Sequence, residues 1–149
     1  MSKPEFVYVI YIHATPEKIW QTLLDPEMTK EFWGRHRNGS DWKPGSGWRH
    51  QNYDDASDIS VAGTVVESDR PRRLVLTWAR PNGTDVSRVS FDIDEFMGSA
   101  KLTVTHSELS DETMRGISAG WPAVLSSLKT LLETGASLPM TRQHWRKAG

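Results

Sequence analysis

Residues 118–135, SAGWPAVLSSLKTLLETG, form the chain's one long amphipathic helical pattern, and it comes last, behind a series of segments patterned as strands. Trp121, Val124, Leu125, Leu128, Leu131 and Leu132 recur at spacings of three and four to give an apolar stripe, with Ser126, Ser127, Lys129 and Thr130 on the solvent side. Gly135 supplies a C-terminal cap. Pro122 cannot donate a backbone hydrogen bond, so either the helix begins near Gly120 or a helical segment from Asp111 is kinked there. Such a stripe has to be buried, and the preceding segments decide against what.

Up to about Glu108 the pattern is alternation broken by turn chemistry. KPGSGW is a hairpin-like turn into Trp48-Arg49-His50-Gln51-Asn52, and YDDASD reads as a polar loop. VAGTVVE, LVLTWA, VSFDI and KLTVTHS read as strands, separated by SDRPRR, RPNGTD and EFMGSA, which makes an antiparallel meander. Leu74, Leu76 and Trp78 share one face, as do Val89, Phe91 and Ile93, and Leu102, Val104 and His106; Ser90, Asp92, Thr103 and Thr105 point the other way. A single sheet with one dry face needs a cover, and the C-terminal helix is that cover.

The first strand, about Phe6 to His13, is dense in β-branched and aromatic residues and meets Pro16 soon after, a buried strand rather than a signal peptide. Thr15 is an N-cap with Pro16 at the first helical position; Ile19, Trp20, Leu23 and Leu24 form the apolar face, and Asp25-Pro26 ends the helix. A second short helix carries Phe32 and Trp33 up to Gly34.

At 149 residues the chain has the size of one domain, expected over residues 1–138, with a loose tail at 139–149. A net charge of −1 with interspersed signs gives no footprint for nucleic acid. No apolar run is long enough to span a bilayer, so a cytoplasmic protein with no membrane partner is expected. Cysteine is absent, which removes disulfides and thiolate metal sites. Seven tryptophans are a heavy load for this length.

Four strings in order carry a family likeness. IHATPEKIWQTLLDPEMTKEFWG, GTVVESDRPRRLVLTW, GSAKLTVTHSEL and GWPAVLSSLKTLL together resemble the activator of heat-shock protein 90 ATPase homologue family, within the START-like (SRPBCC) helix-grip superfamily, over roughly residues 5–135. The resemblance implies an α+β helix-grip fold: a curved antiparallel sheet wrapped around a long C-terminal helix, two short helices after the first strand, and a cavity between sheet and helix that in related proteins holds an apolar small molecule. The chain has no room for the additional domain with which the eukaryotic co-chaperones grip the chaperone, so direct ATPase activation is not expected.

The candidate ligand-binding residues are Trp33, Trp48, Leu76, Trp78, Phe91, Val104, His106, Trp121, Leu125 and Leu128. Indoles offer flat apolar walls with one N–H to orient a guest, against the plainer reading that they fill a wide core. His106, on the dry face, could bond a ligand or be a satisfied core histidine, and the same holds for His50. No histidine pair has helical metal spacing, so neither metal nor cofactor is expected. GISAG at 116–120 matches the nucleophile-elbow pattern but follows the polar SDETMR instead of a central strand, and GSG at 45–47 is a turn. RPRR at 70–73 reads as a solvated loop cluster. The leading expectation is a module that binds a small apolar or aromatic ligand, with no catalytic residues assigned. A chaperone-linked interaction protein is the second, and an enzyme acting in the cavity the third.

Overall fold

A computed structural model describes residues 3–145. The chain runs through β1 (Phe6–Ile12), α1 (Pro16–Leu24), α2 (Pro26–Phe32), β2 (His36–Ser40), β3 (Gly47–Asn52), β4 (Asp55–Asp69), β5 (Arg73–Trp78), β6 (Ser87–Phe96), β7 (Ser99–Ser107) and α3 (Asp111–Thr134), then a 3-10 turn at Pro139–Thr141. The strands form one antiparallel sheet in the order β1-β7-β6-β5-β4-β3-β2. Register shifts in β3–β4, beside Gln51, and in β4–β5, between Val65 and Glu67, bend it, because an extra residue on one strand increases the local twist. The sheet curves around α3, the helix-grip arrangement.

The dry face forms as the period of two requires. Leu74, Leu76, Val89, Phe91, Ile93, Leu102 and Val104 are buried against Trp121, Val124, Leu125 and Leu128 of α3. Leu125 and Leu128 are fully buried, each contributing about 1.5–3 kcal/mol. Gly63 lets β4 and β5 cross closely: a Cβ there would stand 2.1 Å from the Thr77 carbonyl oxygen. Trp48 donates its indole N–H to that same oxygen at 2.7 Å.

Of the two starts for the last helix, the structure takes the earlier. α3 begins at Asp111, where the Ser110 hydroxyl caps the Thr113 N–H, and runs through Pro122 to Gly135, which closes it at φ 92°. YDDASD is only partly a loop, since Asp55 onward already belongs to β4; its exposed, wet end lacks the alternation that marks a strand. β2 is an element the alternation does not show. Its inward residues, His36 and Asn38, are polar, and hydrogen bonds rather than apolar contact satisfy them.

Of the segment expected to be loose, residues 139–145 are described, and they make specific contacts. Thr141 is fully buried, and a chain of bonds runs from the Leu138 N–H to the Ser127 hydroxyl (2.9 Å), on to the Thr141 hydroxyl (2.7 Å) and to the Glu31 carbonyl (2.9 Å). The Trp145 ring lies against Gly34, where a Cβ would stand 3.0 Å from the indole, and its N–H is donated to the Met140 carbonyl at 2.7 Å. Polar anchors of this kind leave no periodic signal. Residues 146–149 lie outside the described residues.

Candidate binding cavity

Between α3 and the β2–β5 half of the sheet lies a cavity of about 220 Å3, walled by Trp33, Trp78, Trp121 and Trp145 with His36, His50, Ser60, Val61, Gly116, Ile117, Gly120 and Val124. Trp121 is its hub: the rings of Trp33 and Trp78 approach it at 5.4 and 5.6 Å, tilted in the way aromatic quadrupoles favour. At Gly116 and Gly120, one helical turn apart on α3, an added Cβ would meet nothing within 4 Å. Helix interiors disfavour glycine, yet here two stand over open space. A wider groove of about 500 Å3 adjoins the cavity, sharing Ser60, Val61, Trp78, Gly116 and Ile117 with it and continuing past Arg80, Asp85, Glu112 and Thr113.

One wall carries polar groups. The rings of His36 and His50 stack at 4.6 Å, 12° from parallel. His36 places Nδ1 2.7 Å from the Gly34 carbonyl, which can only accept, so the proton is on Nδ1; in the neutral ring, Nε2 then accepts from the Ser60 hydroxyl at 2.9 Å. His50 Nδ1 lies 2.7 Å from the Asn38 side-chain oxygen, while the Asn38 amide donates to the Leu23 carbonyl, so His50 is likewise protonated on Nδ1.

His106 is fully buried and bonded on both nitrogens. The Trp121 indole donates to its Nδ1 at 3.1 Å, which leaves the proton on Nε2, donated to the Ser87 hydroxyl at 2.8 Å; Ser87 in turn donates to the Trp78 carbonyl at 3.2 Å. Burial pushes the imidazole down to about 4, so the ring is neutral at ordinary pH. This is the satisfied core histidine of the plainer reading.

Of the ten candidate residues, Trp33, Trp78 and Trp121 meet at the cavity. Trp48, Leu76 and Phe91 surround only a void of about 10 Å3 on the far side of Trp33. Val104, His106, Leu125 and Leu128 belong to the packed core beneath. Sequence reasoning missed Trp145, left in the tail, and the polar wall of His36 and Ser60. In the sequence Gly116 and Gly120 stand out as the ends of GISAG, and Gly120 also as a candidate helix start; GISAG lies wholly inside α3 and forms no elbow.

Near the tail, Arg35 grips Asp54 through two N–H groups at 2.8 and 2.9 Å, and His144 Nε2 lies 3.0 Å from the same carboxylate. The Arg35 hydrogen bond is the main cause holding the Asp54 carboxyl down at about 2. The RPRR cluster is partly neutralised: Arg70 pairs with Glu17, and Arg73 with Glu67 and Asp92.

The family described as Activator of Hsp90 ATPase homolog 1-like protein matches residues 13–133. The crystal structure of CalU16 from Micromonospora echinospora shares the fold at TM-score 0.72 and 18% identity, over 88% of this chain and 77% of that one. The solution structure of the Aha1 dimer from Colwellia psychrerythraea matches at TM-score 0.72 and 22% identity, over 89% and 98%. DynU16, a protein of the dynemicin biosynthetic locus, matches at 0.73 and 18%, this chain spanning 48% of it. Comparison with curated proteins finds no match. Among the described residues, no helix is long and apolar enough to cross a membrane.

Proposed function

This chain belongs to the Activator of Hsp90 ATPase homolog 1-like protein family, and from that premise we propose that it binds a small, flat aromatic molecule in the cavity between α3 and the sheet. The observation that carries the reading is the void itself, walled by four tryptophans and left open at Gly116 and Gly120. An apolar void of about 150 Å3 holds one benzene ring, so about 220 Å3 suits one or two fused rings. Burial of the rings supplies the driving force, and the His36–Ser60 side orients the guest. Trp33, Trp78 and Trp121 are the residues of the expected set that this proposal keeps.

Native mass spectrometry of freshly purified protein, read beside a fluorescence titration with N-methyl-2-naphthylamine, tests it. The expected result is a retained small molecule or saturable quenching of the tryptophans, lost in Gly120→Leu, whose side chain fills the void while circular dichroism stays unchanged. No retained molecule and no quenching in the wild type would sink the reading.

A second reading has one observation in its favour. Val7, Val9 and Tyr11 of the edge strand β1 are 44–51% exposed, beside Phe96 at 47% and Met97 at 91%. Such an apolar edge suits a protein partner, a chaperone included. Retention of a chaperone by the wild type, abolished by Val9→Lys, would favour it; retention unaffected by Val9→Lys would remove the edge from consideration.

A further inference from the structure

We propose that the cavity and the adjoining groove act as one site for a two-part ligand: an aromatic body in the tryptophan cage, and a hydrogen-bonding substituent without negative charge that leaves through the neck into the groove. The inference rests on the cavity reading above and adds the ligand's second half.

Three observations carry it. First, the two spaces adjoin across Ser60, Val61, Trp78, Gly116 and Ile117, which line both and form the proposed neck. The inner chamber alone falls below the roughly 300–1,000 Å3 of small-molecule pockets, and the two together fall within that range. Second, the groove differs in chemistry from the cage: Arg80, Thr84, Asp85, Glu112 and Thr113 offer donors and acceptors. Its ionisable groups are two carboxylates against one guanidinium, and Arg80 already faces Glu112 at 3.8 Å, so an added anion is repelled while hydroxyls and amines are accepted. Third, the neck has a defined polarity. Ser60 lines both spaces with its hydroxyl 2.9 Å from His36 Nε2, and its oxygen has a lone pair left for a further donor. An N–H or O–H joining the ligand's two halves meets an acceptor there. Gly116 lines both spaces and brings no side chain into either.

Isothermal titration calorimetry with two probes tests this: N-methyl-2-naphthylamine, which has the ring and the N–H, and 3-(2-naphthylamino)propane-1,2-diol, which adds the hydroxylated arm. The diol is expected to bind about tenfold more tightly, the gain of one or two net hydrogen bonds. In Thr113→Phe, which fills the groove, that advantage falls to about twofold or less. Equal affinity of the two probes for the wild type overturns the two-part site and leaves the cavity reading standing. Failure of both probes to bind overturns both. A diol advantage that survives intact in Thr113→Phe also overturns the proposal, since the gain then arises elsewhere.

Discussion

The Trp121 indole N–H meets Nδ1 of His106 at 3.1 Å, fastening the closing helix to the strand that precedes it by a hydrogen bond buried on both sides. The bond fixes the His106 tautomer, and through Ser87 it reaches the Trp78 carbonyl. Two cavity tryptophans, one on α3 and one on β5, are therefore held in relation by a histidine that itself lies outside the cavity.

Acid should cost stability at His106 before it reaches the carboxylates. Between pH 6.5 and about 4 the unfolded chain takes up a proton at His106 that the folded chain refuses. Above that window both forms are neutral and the residue has no effect on stability; as pH falls through it, stability is lost, by about 3 kcal/mol once both forms are protonated. An NMR titration should find the His106 imidazole signal stationary through pH 6.5, with urea unfolding midpoints falling over the same range. An ordinary midpoint near 6.5 would show that the ring is not sealed.

Replacing Trp121 by phenylalanine keeps a ring against Phe91 but strips His106 Nδ1 of its donor. A buried acceptor left unsatisfied costs about 1–3 kcal/mol, and the smaller ring adds a cavity penalty. A double-mutant cycle with His106→Leu should give a coupling of about 1–2 kcal/mol by urea denaturation. A coupling near zero would mean that the bond contributes nothing net.

How much of this was legible in the sequence depended on what holds each part. Leu74, Phe91, Leu102 and Leu125 announced the sheet, its dry face and its cover because apolar burial leaves a period of two or 3.6. β2 escaped because His36 and Asn38 are buried by hydrogen bonding, which has no period. The tail escaped for the same reason: Thr141 is anchored by hydroxyl contacts to Ser127 and Glu31, residues distant in sequence. Alternation sets Trp78 on the dry face and the helical stripe sets Trp121 toward it, but a period says only which face a residue takes. Whether that face meets a neighbour or a void depends on positions such as Gly116, where the informative feature is a missing side chain.

Gly116→Ala and Gly120→Ala should each stabilise the protein without ligand. Alanine is favoured over glycine inside a helix by about 0.8–1.0 kcal/mol, and neither new methyl meets an atom within 4 Å. Thermal unfolding should rise by a few degrees for each. A fall would show that the strip is packed against something, contrary to the open cavity.

Gly63→Ala should do the reverse, although it is the same chemical change in a strand. Its Cβ would fall 2.1 Å from the Thr77 carbonyl oxygen and 2.6 Å from its hydroxyl, inside any permitted contact. β4 and β5 would have to part, straining the Ala62–Ala79 bridge, the Thr64 N–H to Thr77 hydroxyl bond (2.8 Å) and the Trp48 indole bond. A loss of about 2–4 kcal/mol is expected in chemical denaturation, along with a red-shifted Trp48 emission as the ring is exposed.

Thr141→Val tests whether the tail is part of the folded unit. Valine matches the shape of threonine and keeps the apolar contacts, but it removes the hydroxyl that receives the Ser127 proton and donates to the Glu31 carbonyl. Two groups are left unsatisfied in a site that is fully buried, and the expected loss is about 1–3 kcal/mol. Because Thr141 holds the segment that lays Trp145 over Gly34, the variant should also raise proteolytic sensitivity near Arg142 and weaken N-methyl-2-naphthylamine binding. Unchanged stability and unchanged cleavage would show that residues 139–145 only rest on the surface, as the sequence alone suggests.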